Sequence, residues 1–315
     1  MHMIPYIVAY AAVLVFVVAV ISRFVMFSRL PMHLRWELYP VAHEGGKKAV
    51  YGGSYLEEFE WWTKPRDVSV IGELKVMIPE IFFLVALKEH NRKMWNSSFP
   101  FHFGLYLVIT CTVLMILSGI LGAIWADYAV GGLANIIAKI VTITGVGGLV
   151  LGLFGALGLL GRRLSARDLK PFTTPADLFN LVFFIAAFGA ALALFATADT
   201  DFTIVGGFVA NLITGNMVAV DTGATLLLVT VVLLSVLLAY IPLTHMSHFV
   251  GKFFAYHSVR WNDEPNMPGS ETEKKIPDLL MQNITWAAPH INGNGDKKKT
   301  WADAATENPA AQEDK

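Results

Sequence analysis

The chain has 315 residues, of which 55% are hydrophobic and only 16% are charged, and its mean hydropathy is +0.53. A soluble globular domain carries roughly 25% charged residues, so the composition excludes that class and predicts an integral membrane protein. The formal net charge of -1 gives no reason to expect a nucleic-acid partner. The single cysteine, Cys111, excludes an internal disulfide, a cysteine-ligated iron–sulfur cluster and a CxxCH haem attachment.

Five segments are long and apolar enough to cross a lipid bilayer as helices, since about 20 apolar residues span the hydrocarbon core. They are residues 4–27, 100–125, 133–160, 178–198 and 224–242. The N-terminus lacks the basic region of a signal peptide, which favours an uncleaved first span. The sequence therefore predicts an all-α integral membrane fold, a five-helix transmembrane bundle.

Basic residues gather on one side of these spans, which predicts the orientation. The loops at 126–132 and 197–223 contain no lysine or arginine. Basic residues instead follow the first, third and fifth spans, at Arg23, Arg29, Arg162, Arg163, Lys252 and Arg260. By the positive-inside rule, the N-terminus is outside and the C-terminal tail is cytoplasmic.

The cytoplasmic loop, residues 29–98, separates the first transmembrane helix (1–28) from the four-helix region (99–248). Residues 71–90 have a charged side and an apolar side, which predicts a helix lying in the membrane interface with a kink at Pro79. The tryptophans Trp36, Trp61 and Trp62 are interfacial anchors or, alternatively, a docking surface for a cytoplasmic partner.

Two other regions are predicted to lie outside the spans. Residues 203–220 contain Gly206, Gly207 and Gly215, which favours a short amphipathic or re-entrant helix over a sixth span. The polar composition after residue 262 predicts that the cytoplasmic tail, 249–315, is largely disordered.

Histidines at the predicted cytoplasmic ends of two spans give the clearest candidate site. His102 lies just inside the second span, where an ionisable side chain suggests function by default. The fifth span leads into His245 and His248. His102 and His248 can hold a haem iron from opposite sides, as in b-type cytochromes, and His245 is the alternative second ligand. The simpler interpretation is a set of interfacial histidines satisfied by headgroups or carbonyls.

No histidine lies between Phe103 and Thr244, so the chain lacks the ligands for a second bis-histidine haem in the outer half of the membrane. Lys139 sits near the outer end of the third span. Its ammonium group reaches the outer headgroups or, alternatively, binds a quinone carbonyl. The glycines Gly148, Gly152 and Gly155 share one face of that helix, which predicts close helix packing.

These residues resemble the haem b membrane subunit, or gamma subunit, of respiratory nitrate reductase. The resemblance runs over all five spans, through FHFG at 101–104, KIVTITGVGGLVLGLFGALGLLGRRL at 139–164, TTPAD at 173–177 and IPLTHMSHFVGKFF at 241–254. The loop motifs WELYP and YGGSY are similar to relatives of that subunit in the transmembrane redox complexes (Tmc, Hmc and Dsr types) of sulfate-reducing bacteria.

The family stacks two haems across the membrane, each held by a histidine of the second span and one of the fifth. The resemblance assigns His102 and His248 to the cytoplasmic-side haem, and the two outer positions are Thr112 and Thr230. It therefore implies one haem b. The loss of the outer ligands also counts against the family's outer quinol site, which lies beside the outer haem, and with it against a quinone contact by Lys139.

The resemblance also implies partners and a place in the cell. It implies a multi-pass protein of the cell inner membrane that passes electrons between a quinone, such as menaquinone, or a periplasmic multihaem cytochrome c and a cytoplasmic iron–sulfur subunit similar to heterodisulfide reductase. A haem-free membrane anchor of such a complex is the alternative. No catalytic residue is predicted in either case.

Overall fold

The computed structural model describes residues 3–30, 41–66, 68–218, 224–285 and 299–307. WELYP, with Trp36, lies outside the described residues. Within them the chain is helical, with two isolated β-bridges, Glu44 to Val68 and Asn283 to Thr300. In chain order the helices are α1 Ile4–Ser28, α2 Lys48–Tyr51, α3 Val70–Phe83, α4 Val85–His90, α5 Arg92–Ile124, α6 Gly132–Ser165, α7 Pro175–Thr197, α8 Thr203–Thr214, α9 Thr225–Tyr240, α10 His248–Phe254, α11 Glu271–Leu280 and α12 Trp301–Thr306.

Five of these helices, α1, α5, α6, α7 and α9, are long and apolar enough to cross a membrane. The predicted spans are thereby confirmed, and the chain has the architecture of a multi-pass membrane protein. The second span starts earlier than expected, at Arg92, because the Asn91 side chain accepts a hydrogen bond from the Met94 amide (3.0 Å) and caps the helix. Helix α7 begins at Pro175 after a capping box formed by Thr174 and Asp177.

The segment after α7 forms the expected short helix. Helix α8 has 12 residues, which at about 1.5 Å per residue is too short to span a bilayer. The Asp199 carboxylate accepts hydrogen bonds from the Ile204 and Val205 amides (2.9 Å each), so it satisfies donors at the start of α8. Phe202 has a left-handed backbone (φ 63°) and is buried.

The segment predicted to lie in the membrane interface consists of two helices. Helix α3 continues through Pro79, and the interruption comes further along, at Leu84, which has a left-handed backbone (φ 51°). The Trp95 indole donates to the Phe83 carbonyl (2.8 Å), and the Tyr106 hydroxyl donates to the Ile81 carbonyl (2.8 Å). Two side chains of α5 thus satisfy carbonyls in the last turn of α3. The interfacial location of this pair remains a prediction.

The chain divides into two compact units, residues 1–21 with 74–247 and residues 22–73 with 248–315. In the first unit, α5 and α6 are in backbone contact because glycines face each other. A Cβ atom added at Gly104 would lie 2.3 Å from the Gly152 nitrogen, and one at Gly155 would lie 2.3 Å from the Phe101 nitrogen. The predicted glycine face is therefore used for helix packing, as in small-residue interfaces of membrane helices.

The other spans of the first unit pack around this pair. The Phe188 ring of α7 fills the space beside Gly152, and the Tyr240 hydroxyl of α9 donates to Asn180 of α7 (2.7 Å). Helix α1 packs on α8, where the Tyr6 and Phe208 rings lie 4.6 Å apart.

The second unit contains the described part of the tail, where the sequence predicts a largely disordered segment. Helices α10, α11 and α12 lie in this part of the chain. Trp261 is only 2% exposed and lies against the Tyr256 ring, with the ring centres 4.7 Å apart. The average composition of the tail is polar, but this single buried tryptophan provides an apolar contact that composition alone does not reveal.

Candidate functional site

His102 is half-buried on α5, and its ring is held by its own helix. The Nδ1 atom lies 2.8 Å from the Ser98 carbonyl oxygen and 3.3 Å from the Ser98 hydroxyl. A carbonyl oxygen only accepts hydrogen bonds, so Nδ1 carries a proton, and in the neutral imidazole the lone pair is then on Nε2. This is the arrangement in which an imidazole binds a metal through Nε2 while a backbone carbonyl fixes its other nitrogen.

A row of stacked aromatic rings lies along α5 beside His102. The rings of Trp95 and Phe99 are 4.8 Å apart, and those of Phe99 and Phe103 are 5.6 Å apart. Phe83, at the end of α3, extends this stack. The α3–α4 pair is therefore packed against the same end of α5 that carries His102.

The two candidates for the second ligand have different surroundings. His245 belongs to the first unit, its side chain is 62% exposed, and its Nε2 atom lies 3.6 Å from the Asp177 carboxylate. Arg163 approaches the same carboxylate at 3.7 Å. His248 is the first residue of α10 and belongs to the second unit. The pairing of His102 with His248 remains a prediction.

Two other histidines, His90 and His257, each have surroundings of their own. His90 is exposed at the end of α4. In the second unit, the Nδ1 atom of His257 lies 2.9 Å from the Phe253 carbonyl and its ring stacks on Phe253. Among the described residues, no group of three or more histidine, cysteine, aspartate or glutamate side chains is arranged to hold a metal ion.

Lys139 is exposed on α6. It does not line the cavity described below, so a contact with a quinone remains a prediction, as does snorkelling to the headgroups.

The two positions assigned to an outer haem, Thr112 and Thr230, line one cavity of about 70 Å³ between the second and fifth spans. The buried Phe202 ring lies beside it, at Gly145 of α6. Pockets that hold cofactor-sized ligands usually measure about 300–1,000 Å³. The residues around this cavity therefore do not fit a haem, and the Phe202 side chain fills part of the space.

A polar cluster in the second unit was not predicted from the sequence. The Asp263 carboxylate accepts hydrogen bonds from His43 (2.7 Å), Arg66 (2.8 Å) and the Tyr55 hydroxyl. Burial alone would raise the pKa of Asp263, but these hydrogen bonds and the positive charges of His43 and Arg66 outweigh it and lower the pKa to about 2. Burial and the bond to Asp263 raise the pKa of Tyr55.

This cluster joins the cytoplasmic loop to the tail across more than 190 residues of sequence. No local spacing pattern reveals such a contact, and an aspartate after Trp-Asn reads as an ordinary loop residue. Three side chains converge on the one carboxylate of Asp263, which fits a structural contact between these segments.

No family model, curated protein or solved structure matches this chain.

Proposed function

We propose that the chain is the haem b membrane subunit of a respiratory redox complex in the cell inner membrane. It passes electrons between the quinone pool or a periplasmic multihaem cytochrome c and a cytoplasmic iron–sulfur subunit similar to heterodisulfide reductase. When bound, the haem supplies the one-electron chemistry, and the protein supplies ligands and orientation. The observation that carries the proposal is the His102 imidazole with its Nδ1 atom bonded to the Ser98 carbonyl, as in imidazoles that bind a metal through Nε2.

His248 is the proposed second ligand. The imidazole of His245 lies 3.6 Å from the Asp177 carboxylate, an interaction that competes with binding iron. His245 and His248 are both exposed, so exposure does not separate them. The resemblance at 241–254 independently favours His248.

One haem per chain is part of the proposal. The two outer positions are threonines, and threonine hydroxyls are not usual ligands of haem iron. The small cavity between them and the neighbouring Phe202 ring support this count.

The second candidate is a haem-free membrane anchor of the same kind of complex. The observation that favours it is that Gly104, Gly152 and Gly155 are all covered by neighbouring helices, so none of them provides room for a haem edge. In this case the bond between His102 and Ser98 satisfies an interfacial imidazole and nothing more.

A reduced-minus-oxidised visible spectrum of the purified protein, with haem extraction against protein mass, separates the candidates. We expect a b-type α band and one haem per chain. A spectrum without that band would identify the anchor, and two haems per chain would contradict the assignment of Thr112 and Thr230.

A further inference from the structure

The cavity between the second and fifth spans is lined by a residue whose buried polar atom has no partner among the described residues. Most of its walls are apolar side chains of α5, α6, α7 and α9, and Cys111 and Met115 are among them. The Thr230 side chain also lines it and is 1% exposed. The Thr230 hydroxyl has no hydrogen-bond partner among the described residues.

Thr230 differs in this respect from other threonines of the bundle. Threonine hydroxyls in helices commonly bond the carbonyl four residues earlier. The following hydroxyls do so at 2.7–3.0 Å: Thr110, Thr112, Thr142, Thr144 and Thr197. The same bond was open to Thr230 through the Leu226 carbonyl, yet its hydroxyl does not make it.

An unpaired hydroxyl in an apolar interior loses its hydration without compensation, which is unfavourable by about 1–3 kcal/mol. A buried polar group of this kind is normally paired with protein or with ordered water. The Thr230 hydroxyl does not make the bond to its own helix, and the residue lines the cavity, so the cavity is where a partner fits.

The size of the cavity limits which molecules can be this partner. A cavity of 150 Å³ holds one benzene ring, whereas a water molecule needs only about 10–15 Å³. At about 70 Å³, the cavity is too small for a quinone ring and large enough for a few water molecules. The Asp199 carboxylate, 2% exposed, also lines it and supplies acceptor atoms.

We propose that this cavity is a hydration site, in which ordered water accepts a hydrogen bond from the Thr230 hydroxyl and donates to the Asp199 carboxylate. The water joins the fifth span to the turn that carries α8. This site does not depend on the proposed haem, because it uses none of the same residues.

Radiolytic hydroxyl-radical footprinting of the whole protein in lipid nanodiscs tests the proposal. Radicals formed from bound water oxidise neighbouring side chains even when these are buried, and cysteine and methionine are readily oxidised. Cys111 and Met115 are 5% and 6% exposed. We expect both to be oxidised several-fold faster than Tyr128, which is 4% exposed and does not line the cavity.

Two variants complete the test. Thr230→Val keeps the shape of the side chain and removes the hydroxyl, so the oxidation rate of Met115 should fall and the melting temperature should drop by roughly 2–4 °C. Thr110→Val is the matched control, because the Thr110 hydroxyl is satisfied by the Tyr106 carbonyl; it should leave the oxidation of Met115 unchanged.

A dry cavity would overturn the proposal, shown by equal oxidation of Met115 and Tyr128 or by a higher melting temperature for Thr230→Val. Oxidation of Met115 that appears only after lipid removal would also overturn it, since an acyl chain would then be the occupant.

Discussion

The Ser98 carbonyl of the preceding turn accepts a hydrogen bond from Nδ1 of His102 and so fixes the orientation of the imidazole. A ligand held in this way loses little rotational freedom on binding a metal. With Nδ1 bonded to the carbonyl, a metal would be bound through Nε2.

At this scale we predict that His102→Ala and His248→Ala each abolish the b-type α band, since the proposed haem would lose one of its two protein ligands. His90→Ala and His257→Ala are the controls and should leave the spectrum unchanged, because these residues are exposed or bonded elsewhere. The difference spectrum of each purified variant is the measurement. A normal spectrum for His248→Ala, with loss of the band in His245→Ala, would make His245 the second ligand.

The position of His102 was predictable from sequence, because an ionisable residue in an apolar span is conspicuous. The hydrogen-bonding states of the Thr230 and Asp263 side chains were not predictable. Whether a threonine hydroxyl faces its own helix or a cavity depends on rotamer and packing, and Asp263 acquires its partners from residues 43, 55 and 66. Such pairings arise only once distant segments meet.

Among the helices, α5 and α6 are in backbone contact next to His102, at Phe101 and Gly155. We predict that Gly155→Ala destabilises the protein, because the new methyl group would meet the Phe101 backbone, and overpacking of this kind typically costs about 1–3 kcal/mol. Gly147→Ala, in the same helix, meets only the Leu107 side chain at 3.6 Å and should be tolerated. Thermal unfolding in detergent compares the two, and equal melting temperatures would contradict the prediction.

In the second unit, the Asp263 carboxylate connects the tail to the segment that carries His43, Tyr55 and Arg66. Because the pKa of Asp263 is lowered to about 2, the network stabilises the fold above the ordinary carboxyl range, and this contribution is lost as pH falls towards 2. Asp263→Asn should lower the free energy of local unfolding of this segment by about 1–2 kcal/mol at neutral pH. This corresponds to a factor of roughly 5–30 in the population of the locally unfolded segment.

Limited proteolysis of the tail in the full chain measures this opening. Asp278→Asn, which changes an exposed aspartate of α11, is the matched control. If both variants are cleaved at the wild-type rate, the Asp263 network does not hold the tail.

The five helices long enough to cross a membrane were predictable from the sequence, because five apolar runs of sufficient length give five such helices. The boundaries were less so. The start of α5 at Arg92 depends on the Asn91 cap, and the break between α3 and α4 occurs at Leu84, a residue type that gives no sign of a left-handed backbone.

The orientation of the bundle is a separate prediction from the positive-inside rule. In intact cells, a membrane-impermeant thiol reagent should label Asp201→Cys and leave Arg167→Cys unlabelled. Both positions are exposed, whereas Asp199 is 2% exposed and unsuitable. The native Cys111 is buried and gives little background. Labelling of Arg167→Cys but not of Asp201→Cys would show that the orientation is the opposite of the predicted one.

The packing of Phe202 beside Gly145 also has an electrical consequence. Moving one elementary charge through 100 mV of membrane potential involves about 2.3 kcal/mol. A second haem in this half of the bilayer would carry electrons through part of that potential, so its turnover would respond to voltage. With aromatic side chains there instead, electrons that reach the proposed haem at His102 from a quinone at the same depth would not cross this half of the field. With that donor, turnover should neither charge the membrane nor slow when the membrane is energised, whereas a donor on the opposite side would make turnover respond to voltage.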